Sequence, residues 1–199
     1  MTVIATIVKG DGEVAALPIL LRRLGAWQSP DISFIVPPPI RVRRDRFLNR
    51  EDEFRRMLLL AAAKCGTSGW ILVLLDADDD CPANFGAQVL AHALAIVPHR
   101  RVSVVLANRE YEAWFIASRM SLNGSRGFAF TLQQNFDAEH PRDAKGWLGE
   151  QMASGKYREI TDQPALSALM DLQQAFEGSR SFRKLCSEWT KQMTFAQLD

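Results

Sequence analysis

Four short apolar runs, each followed by a polar break and then by apolar positions at helical spacing, set the rhythm of the first 118 residues. Val3 to Val8 is β-branched and bounded by Lys9-Gly10-Asp11-Gly12, which predicts a first strand. Glu13 to Leu24 then reads as a helix, with Pro18 predicting a late start or a kink. Ile32 to Val36 predicts a second strand, stopped by Pro37-Pro38-Pro39, and Arg41 to Arg50 reads as a basic loop. Glu51 to Cys65 carries acids in its first turn and apolar Phe54, Met57, Leu58 and Ala61, a good helix start. Trp70-Ile71-Leu72-Val73-Leu74-Leu75 has no polar position at all, the pattern of a strand buried on both faces. Pro82 and Asn84 open a helix through Val97, Val102 to Ala107 is another buried strand, and Glu110 to Ala117 reads as helical. This β-α-β-α-β-α-β-α order predicts an α/β fold with a mostly parallel sheet of about four strands flanked by helices.

After Ser118 the pattern changes. Asn123-Gly124-Ser125-Arg126-Gly127 is loop-like, and Pro141 to Ala153 and Pro164 to Met193 read as helices with a break at Gly178-Ser179. Residues 1–118 are therefore expected to form the α/β core, and residues 119–199 a helical C-terminal extension packed on it as one compact unit. A chain of 199 residues with 47% hydrophobic and 24% charged positions is ordinary for a globular protein with a sizeable core. The net charge of +1 means that any affinity for nucleic acid must come from a local patch. Cys65, Cys81 and Cys186 have neither metal-ligand nor disulfide-framework spacing, which suits a reducing cytoplasm. No signal peptide or membrane helix is expected.

The candidate chemistry lies at Asp76-Ala77-Asp78-Asp79-Asp80, directly after the most apolar run of the chain. Four carboxylates cannot share that core, so they must emerge at the strand's carboxyl end, where open α/β sheets bind ligands. Asp11 and Glu13 follow the first strand, and Glu110 and Glu112 follow the last. A parallel sheet would gather all three clusters at one rim and there favour a divalent cation such as Mg2+ or Mn2+. Two such ions can cleave a phosphodiester. The competing reading is an acidic, solvated turn. An EF-hand loop fails because Cys81 and Ala87 stand where Gly and Glu are needed, and Gly10-Asp11-Gly12 completes neither a dinucleotide fingerprint nor a P-loop. Arg41, Arg43 and Arg44 lie in the basic loop on the same rim; they would grip phosphate, or else form a solvated basic surface. His92, His99 and His140 read as structural.

Three segments carry a resemblance: Val8-Lys9-Gly10-Asp11-Gly12-Glu13, Leu75-Asp76-Ala77-Asp78-Asp79-Asp80, and Arg109-Glu110-Tyr111-Glu112-Ala113-Trp114. Together with Asp143-Ala144-Lys145-Gly146-Trp147, Thr161-Asp162-Gln163-Pro164 and Ser181-Phe182-Arg183, they resemble the bacterial Toprim-like domain-of-unknown-function 4276 family. The resemblance implies a topoisomerase–primase type fold that holds magnesium for phosphoryl transfer on nucleic acid. It also implies pairing with an AAA or ABC-type ATPase, as in anti-phage nuclease systems. Asp76 and Asp78 match the family's Asp-x-Asp, and Glu13 its second acid. Asp80, Glu110 and Glu112 complete the expected metal set. Lys9 departs from the pattern, standing where the family usually has Glu and reversing a charge at the metal site. Its ammonium could take the place of one cation, giving a one-metal or metal-free site, or else Glu13 or an acid of Glu110-Tyr111-Glu112 could take over the missing role.

The expectation is thus a magnesium- or manganese-dependent nuclease, or a nuclease subunit acting with an ATPase, with Glu13, Asp76 and Asp78 as catalytic residues. DNA is among the substrates and a homo-oligomer among the assemblies open to it. The alternative is a catalytically degenerate Toprim-like adaptor or regulator of an ATPase, and a third reading is a small-nucleotide phosphotransferase.

Overall fold

The computed structural model describes residues 1–130 and 136–198. In chain order the elements are β1 (Thr2–Val8), α1 (Asp11–Gln28), β2 (Phe34–Ile35), β3 (Ile40–Arg41), α2 (Arg44–Asn49), α3 (Glu51–Cys65), β4 (Trp70–Asp76), α4 (Pro82–Ile96) and β5 (Arg101–Ala107). There follow α5 (Ala113–Ala117), α6 (Arg119–Leu122), α7 (Ala144–Gln151), α8 (Glu159–Leu169), α9 (Leu172–Gly178) and α10 (Arg180–Leu198). The described strands make one parallel sheet in the order β2-β1-β4-β5, with β3 also paired to β1. None of the described helices is long and apolar enough to cross a membrane.

The sheet has five described strands where the apolar pattern predicts four. The difference lies at Pro37-Pro38-Pro39, which offer no N–H to a ladder and so interrupt a strand. Pairing along β1 resumes beyond them with a one-residue slip: Thr2 lies opposite Phe34, but Ile7 lies opposite Ile40. Arg41 closes β3 and Arg44–Asn49 is helical, so the expected basic loop is mostly ordered secondary structure. Pro18 neither delays nor ends α1, which starts at Asp11 and contains it. Helix α5 starts only at Ala113, leaving Glu110 and Glu112 in the turn before it. In the last third, α8 begins at Glu159 with Pro164 inside it, and a further break at Met170-Asp171 separates α8 from α9.

Alternation along the strands divides the core into two. Ile4 and Val8 of β1, Trp70, Leu72 and Leu74 of β4, and Val105 and Ala107 of β5 face α1 and the helices after residue 118. Ala5, Ile7, Ile71, Val73, Leu75, Val104 and Leu106 face α2, α3 and α4. Asp76 continues the parity of Trp70, Leu72 and Leu74, which turns its side chain toward the face covered by the C-terminal helices.

Helix α10 locks that face. Trp189 is fully buried, packs edge-on to Phe34 (ring centroids 5.1 Å apart) and Trp70 (6.0 Å), and donates its indole N–H to Ser29 Oγ at 3.1 Å. Truncating a buried aromatic costs its transfer energy and leaves a cavity. Trp189→Ala is therefore expected to lower unfolding free energy by about 3–5 kcal/mol in urea titration.

Candidate functional site

In strand order the sheet reverses direction at β1, which has β2 and β3 on one side and β4 on the other. The crevice beyond the carboxyl ends of β1 and β4 is where such sheets place ligands. Lys9 follows β1 there and Asp76 ends β4. The Lys9 ammonium lies 3.0 Å from Asp76 Oδ2 and 3.7 Å from Asp78 Oδ1. Burial pulls the Lys9 pKa down, but the charges of Asp76 and Asp78 and the Asp76 hydrogen bond outweigh it and hold the value above the ordinary lysine range. The other oxygen of Asp76, which is 2% exposed, accepts the Tyr111 backbone N–H at 2.9 Å.

The expected acids converge on this point. Asp76's negative charge pushes up the pKa of Glu13, Glu110 and Glu112, in each case adding to the larger effect of burial. Two glycines make this packing possible. A Cβ at Gly10 would collide with the Glu13 carboxylate, and one at Gly12 would collide with Gln163 of α8. Glu112 is fully buried; its Oε1 accepts from Tyr157 Oη at 2.9 Å and from Gln163 Nε2 at 3.3 Å. Its Oε2 has no partner among the described residues. Burial raises the Glu112 pKa to about 8. Glu110 accepts the backbone N–H of Lys145 at 3.1 Å, while the Lys145 ammonium lies 3.8 Å from Glu110 and also pairs with Glu159. Burial works against that ammonium's charge too, yet Glu112, Glu159 and Asp76 keep it above the ordinary lysine range.

The two rim loops clasp each other. Asp78 and Arg109 both adopt left-handed backbone (φ 51° and 64°), a conformation costing of order 1 kcal/mol in non-glycine residues. The Asp78 N–H donates to the Arg109 carbonyl at 3.0 Å, and the Arg109 guanidinium donates back to the Asp78 carbonyl at 3.2 Å. Arg109 and Arg142 both reach Asp79 at 2.7 Å, and hydrogen bonding to Arg142 is the main cause of its lowered pKa. Arg44 turns toward the acids, 3.3 Å from Asp78 and 2.8 Å from Asp80.

Glu13, Asp76, Asp78, Glu110 and Glu112 thus share one site, while Asp80 is exposed at its edge on Arg44. The basic residues separate. Arg44 belongs to the acidic site; Arg41 pairs with Asp11 at 3.0 Å; Arg41 and Arg43 line a cleft of about 290 Å³ with Arg46 and Arg56. Reasoning from the apolar pattern missed Lys145, Tyr157, Gln163, Arg109 and Arg142. A signal for Lys145 and Gln163 existed, since both fall in the family-like segments of the last third; nothing comparable marked Tyr157 or Arg142.

Magnesium needs carboxylate oxygens that can close to near 2 Å around it. Here Lys9 stands between Asp76 and Asp78, and that pair does not fit the ion while the ammonium stays there. Among the described residues no three His, Cys, Asp or Glu side chains are grouped to hold a metal ion.

Residues 8–189 match the family model described as Domain of unknown function (DUF4276). The chain belongs to this family. Neither the curated proteins nor the solved structures contain a match to it. As a DUF4276 member it combines the expected acids with Lys9 and a set of basic side chains from both halves of the sequence.

Two measurements test the electrostatics. A raised carboxyl pKa lends full stability below the unfolded value of 4.5, and that stability is lost as pH rises toward about 8. Relative to Glu112→Gln, the unaltered chain is expected to lose up to roughly 1.4 kcal/mol per pH unit between about pH 5 and pH 8. Urea titrations at several pH values read this, and parallel profiles would show that Glu112 stores no proton. Lys9→Met strands the Asp76 carboxylate at a cost of about 2 kcal/mol, discounted here because Lys9 is partly solvated. Adding Asp76→Asn should restore part of that loss; strict additivity in the double-mutant cycle would show that the pair is not coupled.

Proposed function

We propose that the chain is a Toprim-like subunit that faces nucleic-acid phosphate without driving metal-dependent cleavage itself, and that it serves as adaptor or regulator of an ATPase partner. The observation that carries this reading is the Lys9 ammonium between Asp76 and Asp78. An acidic rim repels a polyanion unless its charge is neutralised. Lys9, Arg44, Arg109, Arg142 and Lys145 supply that neutralisation from within the chain. The cleft holding Arg43 and Arg46 adds cationic surface next to it, suited to phosphate oxygens. The ATPase partner and a role in anti-phage defence come from the family resemblance.

One observation favours a second reading, the magnesium- or manganese-dependent nuclease with Glu13, Asp76 and Asp78 as its catalytic acids. Burial raises the pKa values of Glu13, Glu110 and Glu112, the charge of Asp76 adds to it, and a cation beside them would favour their ionised forms.

Calorimetry with Mn2+ and plasmid nicking in Mg2+ or Mn2+ separate the two. The unaltered chain is expected to nick no plasmid, and Lys9→Glu to bind Mn2+ at least about tenfold more tightly than the unaltered chain. Magnesium-dependent nicking by the unaltered chain, lost in the Asp76→Ala, Asp78→Ala double variant, would overturn the adaptor reading and establish the nuclease.

A further inference from the structure

We infer that the cavity between α4, β5 and α10 is a binding site for a small amphipathic anion, with its compact apolar body inside and its single anionic head at the α10 wall. The inference is independent of the reading of the acidic site. The cavity holds about 500 Å³, a volume that suits a small ligand. Its apolar lining comes from two elements. Val104 and Leu106 project from alternate positions of β5, and Ala83, Gly86, Ala87 and Leu90 come from successive turns of α4. Small side chains on α4 keep that wall back. Gly86 is itself buried, yet a Cβ added there would meet nothing nearer than Leu106 at 3.8 Å. Space over Leu106 is therefore left by the absence of a side chain.

The polar groups gather on one side. Arg180 and Lys184, one turn apart on α10, line the cavity beside Ser181, Asn108 and Glu139. Glu139 is the one acid of this lining, and its lone pairs are spent within the wall. Its Oε1 accepts from Ser179 Oγ, the Ser181 N–H and Ser181 Oγ, and its Oε2 accepts from Asn108 Nδ2 at 3.0 Å. These bonds hold the Glu139 pKa below the ordinary range against the opposing effect of burial. Glu139 therefore has little left to offer a ligand's donors. Lys184 shares its charge with Glu188 at 2.6 Å. Arg180 forms no ion pair or side-chain hydrogen bond among the described residues. An exposed guanidinium without a partner, at the edge of an apolar cavity, is complementary to a ligand with one acidic end. A nucleoside monophosphate and a medium-chain carboxylic acid share that chemistry.

Cys81 lines the same cavity and is exposed, whereas Cys65 and Cys186 are buried, so its alkylation reports occupancy. The full chain is dialysed against AMP and, separately, decanoate, and Cys81 modification by iodoacetamide is followed by mass spectrometry. One of the probes is expected to bind one-to-one with Kd below about 1 mM and to slow Cys81 alkylation. Binding of AMP alone assigns the site to nucleotides, and binding of decanoate alone assigns it to aliphatic acids. Gly86→Leu, which fills the space over Leu106 and favours the helix, is expected to abolish binding. Gly86→Ala should retain it, and Arg180→Glu should weaken it about tenfold or more. Arg180 is exposed, so that variant carries the test even where Gly86→Leu fails to fold. Failure of both probes to bind at about 1 mM, or binding indifferent to Arg180→Glu, overturns the inference.

Discussion

A buried carboxylate at the end of a central strand has to be answered by a charge or by hydrogen bonds, and the rest of this site is organised around how Asp76 is answered. The apolar run that precedes it is anchored on both sides of the sheet, so the chain cannot move Asp76 into solvent without giving up the register with β1 and β5. Lys9 answers one oxygen from the end of β1, and the Tyr111 N–H answers the other from the loop after β5. The carboxyl ends of the adjacent strands β1, β4 and β5 are thereby tied together through one side chain. The left-handed residues Asp78 and Arg109 are tolerable in this setting, because their loops are held together by bonds in both directions.

The same parity that buries Asp76 decides which half of the chain completes the site. Its side chain continues the face of Trp70, Leu72 and Leu74, and that face is covered by α1 and by helices from the last third of the sequence. Lys145, Tyr157 and Gln163 are consequently partners of the rim acids and not features of a separate appendage. Gly12 is a contact that favours this, since a Cβ there would displace the end of the Gln163 side chain, which donates to Glu112, and would crowd the Glu159 carbonyl of α8.

The strands were legible because their apolar runs are dense and bounded, and the acids because each follows a strand that must end at the same rim. Family membership could also be read from the quoted segments. The split strand β2/β3 was hidden by the prolines, which argue against a strand locally but cannot prevent pairing on either side of themselves. Helix α1 starts at Asp11 and not late at Pro18, because the apolar face of Ala16, Leu17, Leu20, Leu21 and Leu24 packs on the sheet and carries the helix through the proline. Lys9 was marked by its place in the family-like segment, whereas Arg142 was invisible because charge pairing over a sequence separation of 63 residues, as in Arg142–Asp79, leaves no periodic trace.

The basic segment shows how a run of like charges divides its labour once folded. Helix α2 places Arg43 just before its first turn and Arg44 within it, and successive helical positions point in different directions. Arg44 is drawn toward Asp78 and Asp80 and is only 16% exposed, so its charge is consumed by the rim. Arg43 and Arg46 face the cleft on the other side, where Arg56 arrives from α3. Arg41 and Arg56 spend part of their charge on Asp11 and Glu53, which leaves Arg43 and Arg46 as the cleft's surplus. A polyanion approaching this edge therefore meets a neutralised acidic rim beside a cationic cleft, with Arg44 as the boundary between them. Reversing the charge at Lys9 would unmask Asp76 and Asp78 and move that boundary. On the proposed reading, Lys9 therefore bears both on the entry of a cation and on the charge that a phosphate would meet beside it.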